Sequence, residues 1–443
     1  MTVKKSQLDI FNSQLGDFLD QSPTPFHAVK TMTDMLAEAG FIALSETEEW
    51  SLKSGEKYFV TRNGSSVIAF VVGTDALSET GIRIAGAHTD SPCLMIKPQP
   101  ELLNNQYYQL GVEVYGGALL NPWFDRDLSI AGRIIYKDKD AQLKQKLVNF
   151  EDPVAMIPSL AIHLDREANS GRTINAQTDI PPILMQAQEK QDFHQLLSER
   201  FLTDDERVVD YELCLYDVQQ AATLGLKKEF FASARLDNLL SCFVATQALI
   251  QAQTHSTSLI VCNDHEEVGS VSSVGADGPF LESVVERLCQ NDSAASNKAR
   301  VLGSSLLISC DNAHAVHPNF SSKHDQGHSP LLNGGPVIKV NVKQRYATNG
   351  VTASLFRQMC EAVDVPVQTF VSRSDLGCGS TIGPVTSAKL GVPTLDVGIP
   401  QLAMHSCREV TGSADPLRLT AVLTHFFNLS GKLQVELQTV VDE

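Results

Sequence analysis

The stretch that most constrains this chain is residues 258–270, SLIVCNDHEEVGS. Its apolar run, 259–262, reads as a buried strand, and it breaks directly into Asn263, Asp264, His265, Glu266 and Glu267 before Gly269 permits a tight turn. Adjacent residues leaving a strand point in different directions. One carboxylate of the pair can therefore ligate a metal while its neighbour stays free to take a proton from metal-bound water. A solvated acidic loop is the plain alternative for an isolated pair of glutamates, so the decision rests on the rest of the chain.

Similar strand exits recur. Residues 82–87 form an apolar run ending in His88, Thr89 and Asp90, and in extended backbone Asp90 lies on the same side as His88, where it can orient the imidazole. SSLLISCD places Asp311 at a strand exit, and His405 follows the run VPTLDVGIP. ARLDNLLSCFVATQALIQA has helical periodicity and opens on Asp237, which is either a dipole-favoured helix start or part of a site. Strands and helices alternate, and in open α/β sheets ligands bind outside the carboxyl ends of parallel strands. His88, Glu266, Glu267, Asp311 and His405 at one such edge are hard to attribute to solvation alone.

The chain has 443 residues, which suits two domains better than one core. From about 92 to 233 the texture changes to short strands with polar punctuation, read as a β-rich domain (92–233) inserted into an α/β domain formed by 1–91 and 234–443. A net charge of −17, with no basic stripe carrying aromatics, argues against nucleic acid. No run of about 18 apolar residues argues for a membrane span, and the N-terminus lacks the pattern of a secretory signal, so a cytoplasmic protein is expected. Nine scattered cysteines without a CxxC pair read as reduced and buried, leaving His, Asp and Glu to bind any metal.

Two imidazoles and several carboxylates without thiolates suit a pair of Zn²⁺ ions, with Co²⁺ or Mn²⁺ as substitutes. An aspartate can hold two ions about 3.5–4 Å apart around a bridging hydroxide. A free glutamate would shuttle the proton to the leaving amine.

IAGAHTDSP, WFDRDLSIAG, ARLDNLLSCF, DHEEVGS, SCDNAHAVHPN, VIKVNVKQRY, GCGSTIGP and LAMHSCRE occur in this order across residues 84–409. Together they closely resemble the aspartyl aminopeptidase family of dinuclear zinc aminopeptidases, in its bacterial form. The resemblance implies a three-layer, mixed-sheet zinc-exopeptidase domain with an inserted dimerisation domain, and removal of N-terminal residues, often acidic, from peptides. It implies that His88 and Glu267 bind one zinc, that Asp311 and His405 bind the other, and that Asp237 bridges them. Glu266 would be the general base, with Asp90 the partner of His88. It further implies dimers assembled into a tetrahedral dodecamer, with His163 reaching a neighbour's site. Lys339 is a candidate for contacting an acidic substrate side chain. His314, His317 and Gly379 are weaker candidates for substrate contact, each with a plain structural alternative. The same chemistry with a neutral or hydrophobic N-terminal preference, a related two-metal amide hydrolase, and an assembly protein without activity are the competing readings.

Overall fold

The computed structural model describes residues 5–292 and 297–437. Its central element is a nine-stranded mixed sheet. The strand Arg83–His88 runs parallel to Ser258–Asn263 on one side and to Leu306–Cys310 on the other, and Leu306–Cys310 runs parallel to Thr394–Gly398. Four carboxyl ends therefore emerge along one edge. The hairpin Lys57–Arg62 and Ser66–Val71, which turns at Asn63 and Gly64, joins antiparallel to Ser258–Asn263.

Both faces of the sheet are covered, which explains why its strands read as unbroken apolar runs. Ala85, Ala87, Ile260, Cys262, Ile308 and Cys310 pack with the helices Lys5–Asp20, Pro25–Glu38, Leu236–Gln251 and Asp415–Asn428. The alternate residues Ile84, Leu259, Val261 and Leu307 pack against Phe280–Asn291 and Lys298–Gly303 on the other face. The two-residue side-chain period thus divides each strand between two cores.

A six-stranded antiparallel sheet comes wholly from residues between 93 and 217, and its core, built around Leu94, Tyr108, Ile130, Phe193 and Leu213, is separate from the other two. Arg133 of this sheet reaches the hairpin turn of the first, donating to the Asn63 carbonyl at 2.8 Å and to Asn63 Oδ1 at 3.0 Å while lying over the Phe26 ring. A third, five-stranded sheet contains Pro400–Leu402 and Glu409–Gly412. His405 therefore does not sit directly at the end of Thr394–Gly398, as the sequence suggests. An additional strand intervenes, and His405 occupies the turn beyond it, because residues 400–402 pair with Glu409–Gly412 and not with the central sheet. Among the described residues no helix is long and apolar enough to cross a membrane.

Candidate metal centre

His88 ends a fully buried strand and is 1% exposed. Its Nδ1 lies 3.0 Å from the Asp90 carbonyl and 3.3 Å from Asp90 Oδ1. A carbonyl only accepts, so Nδ1 carries the proton and Nε2 points away with its lone pair available. His405 has the same polarity: Nδ1 faces the Gly117 carbonyl at 3.1 Å, and Nε2 faces inward.

Asp237 lies between the two imidazoles. Its Oδ1 is 3.4 Å from His88 Nε2 and its Oδ2 is 3.5 Å from His405 Nε2. The sequence leaves open a plain helix-start aspartate, but residues 237 and 238 are non-helical in backbone and the carboxylate faces the histidines. Beyond this axis, Glu267 Oε1 is 3.4 Å from His405 Nε2, and Asp311 Oδ1 is 3.9 Å from His88 Nε2. Glu266 Oε2 stands 4.0 Å from His88 Nε2.

These separations discriminate between hydrogen bonding and shared metal ligation. Two ligands on a tetrahedral ion, each about 2.0–2.2 Å from it, stand roughly 3.4 Å apart. A hydrogen bond brings N and O to about 2.9 Å. Moreover, Asp237 Oδ1 and Glu267 Oε1 are buried without a hydrogen-bond partner, a condition polar atoms rarely tolerate. The donor set, two imidazoles and carboxylates, suits zinc. The residues fit the group.

The electrostatics agree. Burial pushes the Glu266 carboxyl up to about 7 and Asp311 up to about 6, and burial together with the Asp237 charge pushes Glu267 up to about 9. For Asp237 burial works in the same direction, but the two imidazoles outweigh it and hold the carboxyl well below the usual range. His405 is driven up to about 9 against its burial by Asp237 and Glu267. So many crowded carboxyls resisting ionisation mark a place short of positive charge.

The pairing implied by the resemblance is not the one the closest approaches favour. His88, Asp237 and Glu267 do offer ligand atoms within 4.8 Å of one another. The shorter contacts, however, group His88 with Asp311 and His405 with Glu267, with one oxygen of Asp237 turned to each pair. The reason is backbone direction. Glu266 and Glu267 sit in a 3-10 turn, Glu266–Val268, so the two side chains diverge, Glu266 towards His88 and Glu267 towards His405.

Asp90 does more than orient His88. Its Oδ1 accepts the Glu266 amide at 3.1 Å, its Oδ2 accepts the Glu267 amide at 3.0 Å, and Oδ2 also accepts the Tyr115 hydroxyl at 2.7 Å. One carboxylate therefore sets both glutamates.

Lys339 is 3% exposed. Its Nζ donates to the Asp311 and Asn312 carbonyls at 2.9 and 3.0 Å, lies 3.4 Å from Asp311 Oδ2 and sits over the Tyr346 ring. A cavity of about 380 Å³ opens above the cluster, lined by Lys339, Tyr346, His314, Gly379, Val385 and Met404 along with the acidic and imidazole residues. His314 and Gly379 also line an adjoining cavity of about 260 Å³. Two sequence candidates lie elsewhere. His317 is outside the lining of both; its Nδ1 accepts from the Asn319 amide at the start of the turn Pro318–Lys323. His163 is exposed on a long loop and lines neither cavity.

Sequence reasoning passed over Tyr115, Gly116, Gly117 and Glu409. The signal was the YGG at the end of the strand Tyr107–Tyr115. A Cβ on Gly116 would stand 3.1 Å from Glu267 Cβ, and one on Gly117 would stand 3.2 Å from His405 Nδ1. Only glycines let this segment approach the site so closely.

The comparisons with known proteins agree with this geometry. The family model described as "Aminopeptidase I zinc metalloprotease (M18)" matches residues 18–427. The chain is 54% identical over 426 residues to the probable M18 family aminopeptidase 2 of Stutzerimonas stutzeri (strain A1501), covering 95% of this chain and 98% of that protein. Among solved structures, Ape4 in its complex with Nbr1 is 38% identical with a TM-score of 0.91, covering 96% of this chain and 87% of that one. The mApe1 dodecamer of S. cerevisiae is 30% identical with a TM-score of 0.81, covering 95% and 97%. A two-imidazole, carboxylate-rich cluster at the edge of a covered α/β sheet is thus found in a chain that belongs to the M18 family of zinc metalloproteases and is a zinc-dependent aminopeptidase.

Proposed function

We propose that the chain removes N-terminal residues from peptides with two zinc ions, held by His88, Asp237 and Asp311 on one side and by His405, Glu267 and Asp237 on the other. The carrying observation is Asp237, whose two oxygens face two different imidazoles at 3.4 and 3.5 Å. Two such ions supply Lewis-acid polarisation of the scissile carbonyl and a water acidified to near neutrality. Glu266, the carboxylate not needed for ligation, takes the proton on its carboxyl oxygen and returns it to the leaving amine. Burial pushes the Glu266 carboxyl up to about 7, with the Asp311, Asp90 and Asp237 charges adding to the rise and the His88 imidazole alone opposing it, which keeps it poised for transfer. Asp90 holds Glu266 by its amide and His88 by its Nδ1.

For the residue removed, the reading is an acidic side chain received beside Lys339. Asp311 Oδ2, 3.4 Å from the Lys339 ammonium, offsets its charge. Once Asp311 is engaged with zinc, a cation remains in the pocket wall to attract a carboxylate. One observation favours a neutral side chain instead: the Lys339 ammonium already has two carbonyls and a carboxylate as partners, and Val385 and Met404 add apolar wall. Cleavage of Asp, Glu and Leu anilides and an N-acetyl-Asp control, before and after chelation, separates these. Chelator-sensitive release from Asp and Glu alone supports the acidic reading. Release from Leu alone keeps the chemistry and removes the specificity. Cleavage of the blocked substrate overturns the aminopeptidase assignment of this site.

We further infer a homo-oligomer of dimers, up to a tetrahedral dodecamer, in which His163 meets a neighbouring copy. Its loop exposes Leu160, Ile162 and Leu164 at 50%, 48% and 75%, an apolar group suited to burial against another chain. The S. cerevisiae neighbour is described as a dodecamer. A light-scattering mass of one chain at micromolar concentration rules this out. A cytoplasmic setting accords with nine cysteines standing as free thiols, and fractionation of cells tests it.

A further inference from the structure

We propose that Glu409 is the positioning residue of the His405 half of the centre, acting through the backbone of two residues at once. The proposal rests on the two-ion reading above only for its metal readout.

Glu409 is 1% exposed, at the start of the strand Glu409–Gly412. Its Oε1 accepts the His405 amide at 2.6 Å and its Oε2 accepts the Asp237 amide at 2.9 Å. Those two residues come from elements far apart in sequence, the helix start at 236 and the turn at 403–408. Their side chains meet at 3.5 Å. One carboxylate therefore spans the gap that the two side chains must hold open.

Neither backbone holds itself in place. His405 has φ +68 and Ala403 has φ +56, left-handed values that non-glycine residues adopt only when surrounding contacts hold them. Asp237 follows Arg235 at φ +58 and is itself non-helical inside the first turn of its helix. The surroundings compensate Glu409 sparsely. Gln401 Nε2 stands 3.5 Å from Oε1, and among the described residues no lysine or arginine forms an ion pair with Glu409. Burying an anion next to the Asp237 carboxylate is costly. A neutral residue that merely filled the space would avoid that cost, whereas two simultaneous acceptors for two N–H groups require a carboxylate. A glutamine offers one acceptor oxygen and would turn an NH₂ towards the second amide.

The test uses Glu409→Gln in the full-length protein. Hydrogen exchange on the metal-stripped protein is read at the amides of Asp237 and His405, with the strand Ser258–Asn263 as internal control for the fold. At least about 10-fold faster exchange at one or both amides, with the control strand unchanged, is expected. Zinc titration of the same protein should show one ion bound as in wild type and the other weakened by about 10–100-fold, the usual loss on removing a group that orients a metal ligand. Unchanged exchange at both amides overturns the proposal. So does binding of both ions with wild-type affinity when wild type binds two. If wild type itself binds fewer than two, the two-ion reading fails and the exchange result alone decides the role of Glu409. Should Glu409→Gln not fold, Glu409→Asp, which keeps the charge but is one methylene too short to reach both amides, takes its place with the same expected exchange.

Discussion

The two imidazoles of the centre are supported in contrasting ways. His88 ends a strand flanked by parallel neighbours on both sides, is 1% exposed, and takes its orientation from Asp90 two residues on. His405 stands on a turn with left-handed backbone; its side chain is 30% exposed, and it is oriented by a glycine 288 residues away and by Glu409. The first half of the centre is set by the main hydrogen-bonded ladder and costs little extra to hold. The second is assembled from a turn, a helix start and the segment that follows the strand Tyr107–Tyr115, so its precision depends on individual side chains. Glu266 and Glu267 repeat the contrast, one directed at each half from the same short turn.

The sharpest way to break this comparison is to exchange the glutamates for glutamines separately. Glu266→Gln should keep its zinc and lose about 10²–10⁴-fold in turnover, the usual worth of a general acid–base group. Glu267→Gln should instead lose metal from the His405 half. Metal analysis beside single-turnover rates distinguishes the two. Loss of zinc from Glu266→Gln with retention in Glu267→Gln exchanges their roles.

A smaller contrast concerns the histidines themselves. Both His88→Ala and His405→Ala should weaken one ion by at least about 100-fold, more than loss of an orienting neighbour. They should differ in stability of the metal-stripped protein. His88→Ala removes a fully buried, hydrogen-bonded ring and should cost on the order of 2 kcal/mol. His405→Ala removes a partly exposed ring that Asp237 and Glu267 face, and should cost less, on the order of 1 kcal/mol. Denaturant midpoints of the two variants check this, and equal shifts would remove the distinction between a sheet-held and a turn-held half.

Much of the His88 half was legible in the chain. His88 and Asp90 belong to one strand exit, and strands buried on both faces read as unbroken apolar runs, so the acids and imidazole that follow them stand out in the chain. The Asp237 position was visible only as an acid opening a helix, because its contacts with Glu409 and the two imidazoles join residues distant in the chain. His314 and His317 were equally attractive by proximity to Asp311 in sequence, and only the packing separates them: of the two, His314 lines the cavity.

The sequence by itself determined which residue types stand at strand ends, the alternation that makes an α/β sheet with β-rich material between its parts, and the absence of cysteine ligands, since each depends on local spacing and composition. Tertiary structure alone decided which carboxylate meets which imidazole, that Gly117 and Glu409 orient His405, and that Lys339 shares its charge with Asp311. Those relations join residues up to 288 positions apart. They depend on how the sheets and turns pack against one another, and no local pattern in the chain records that packing.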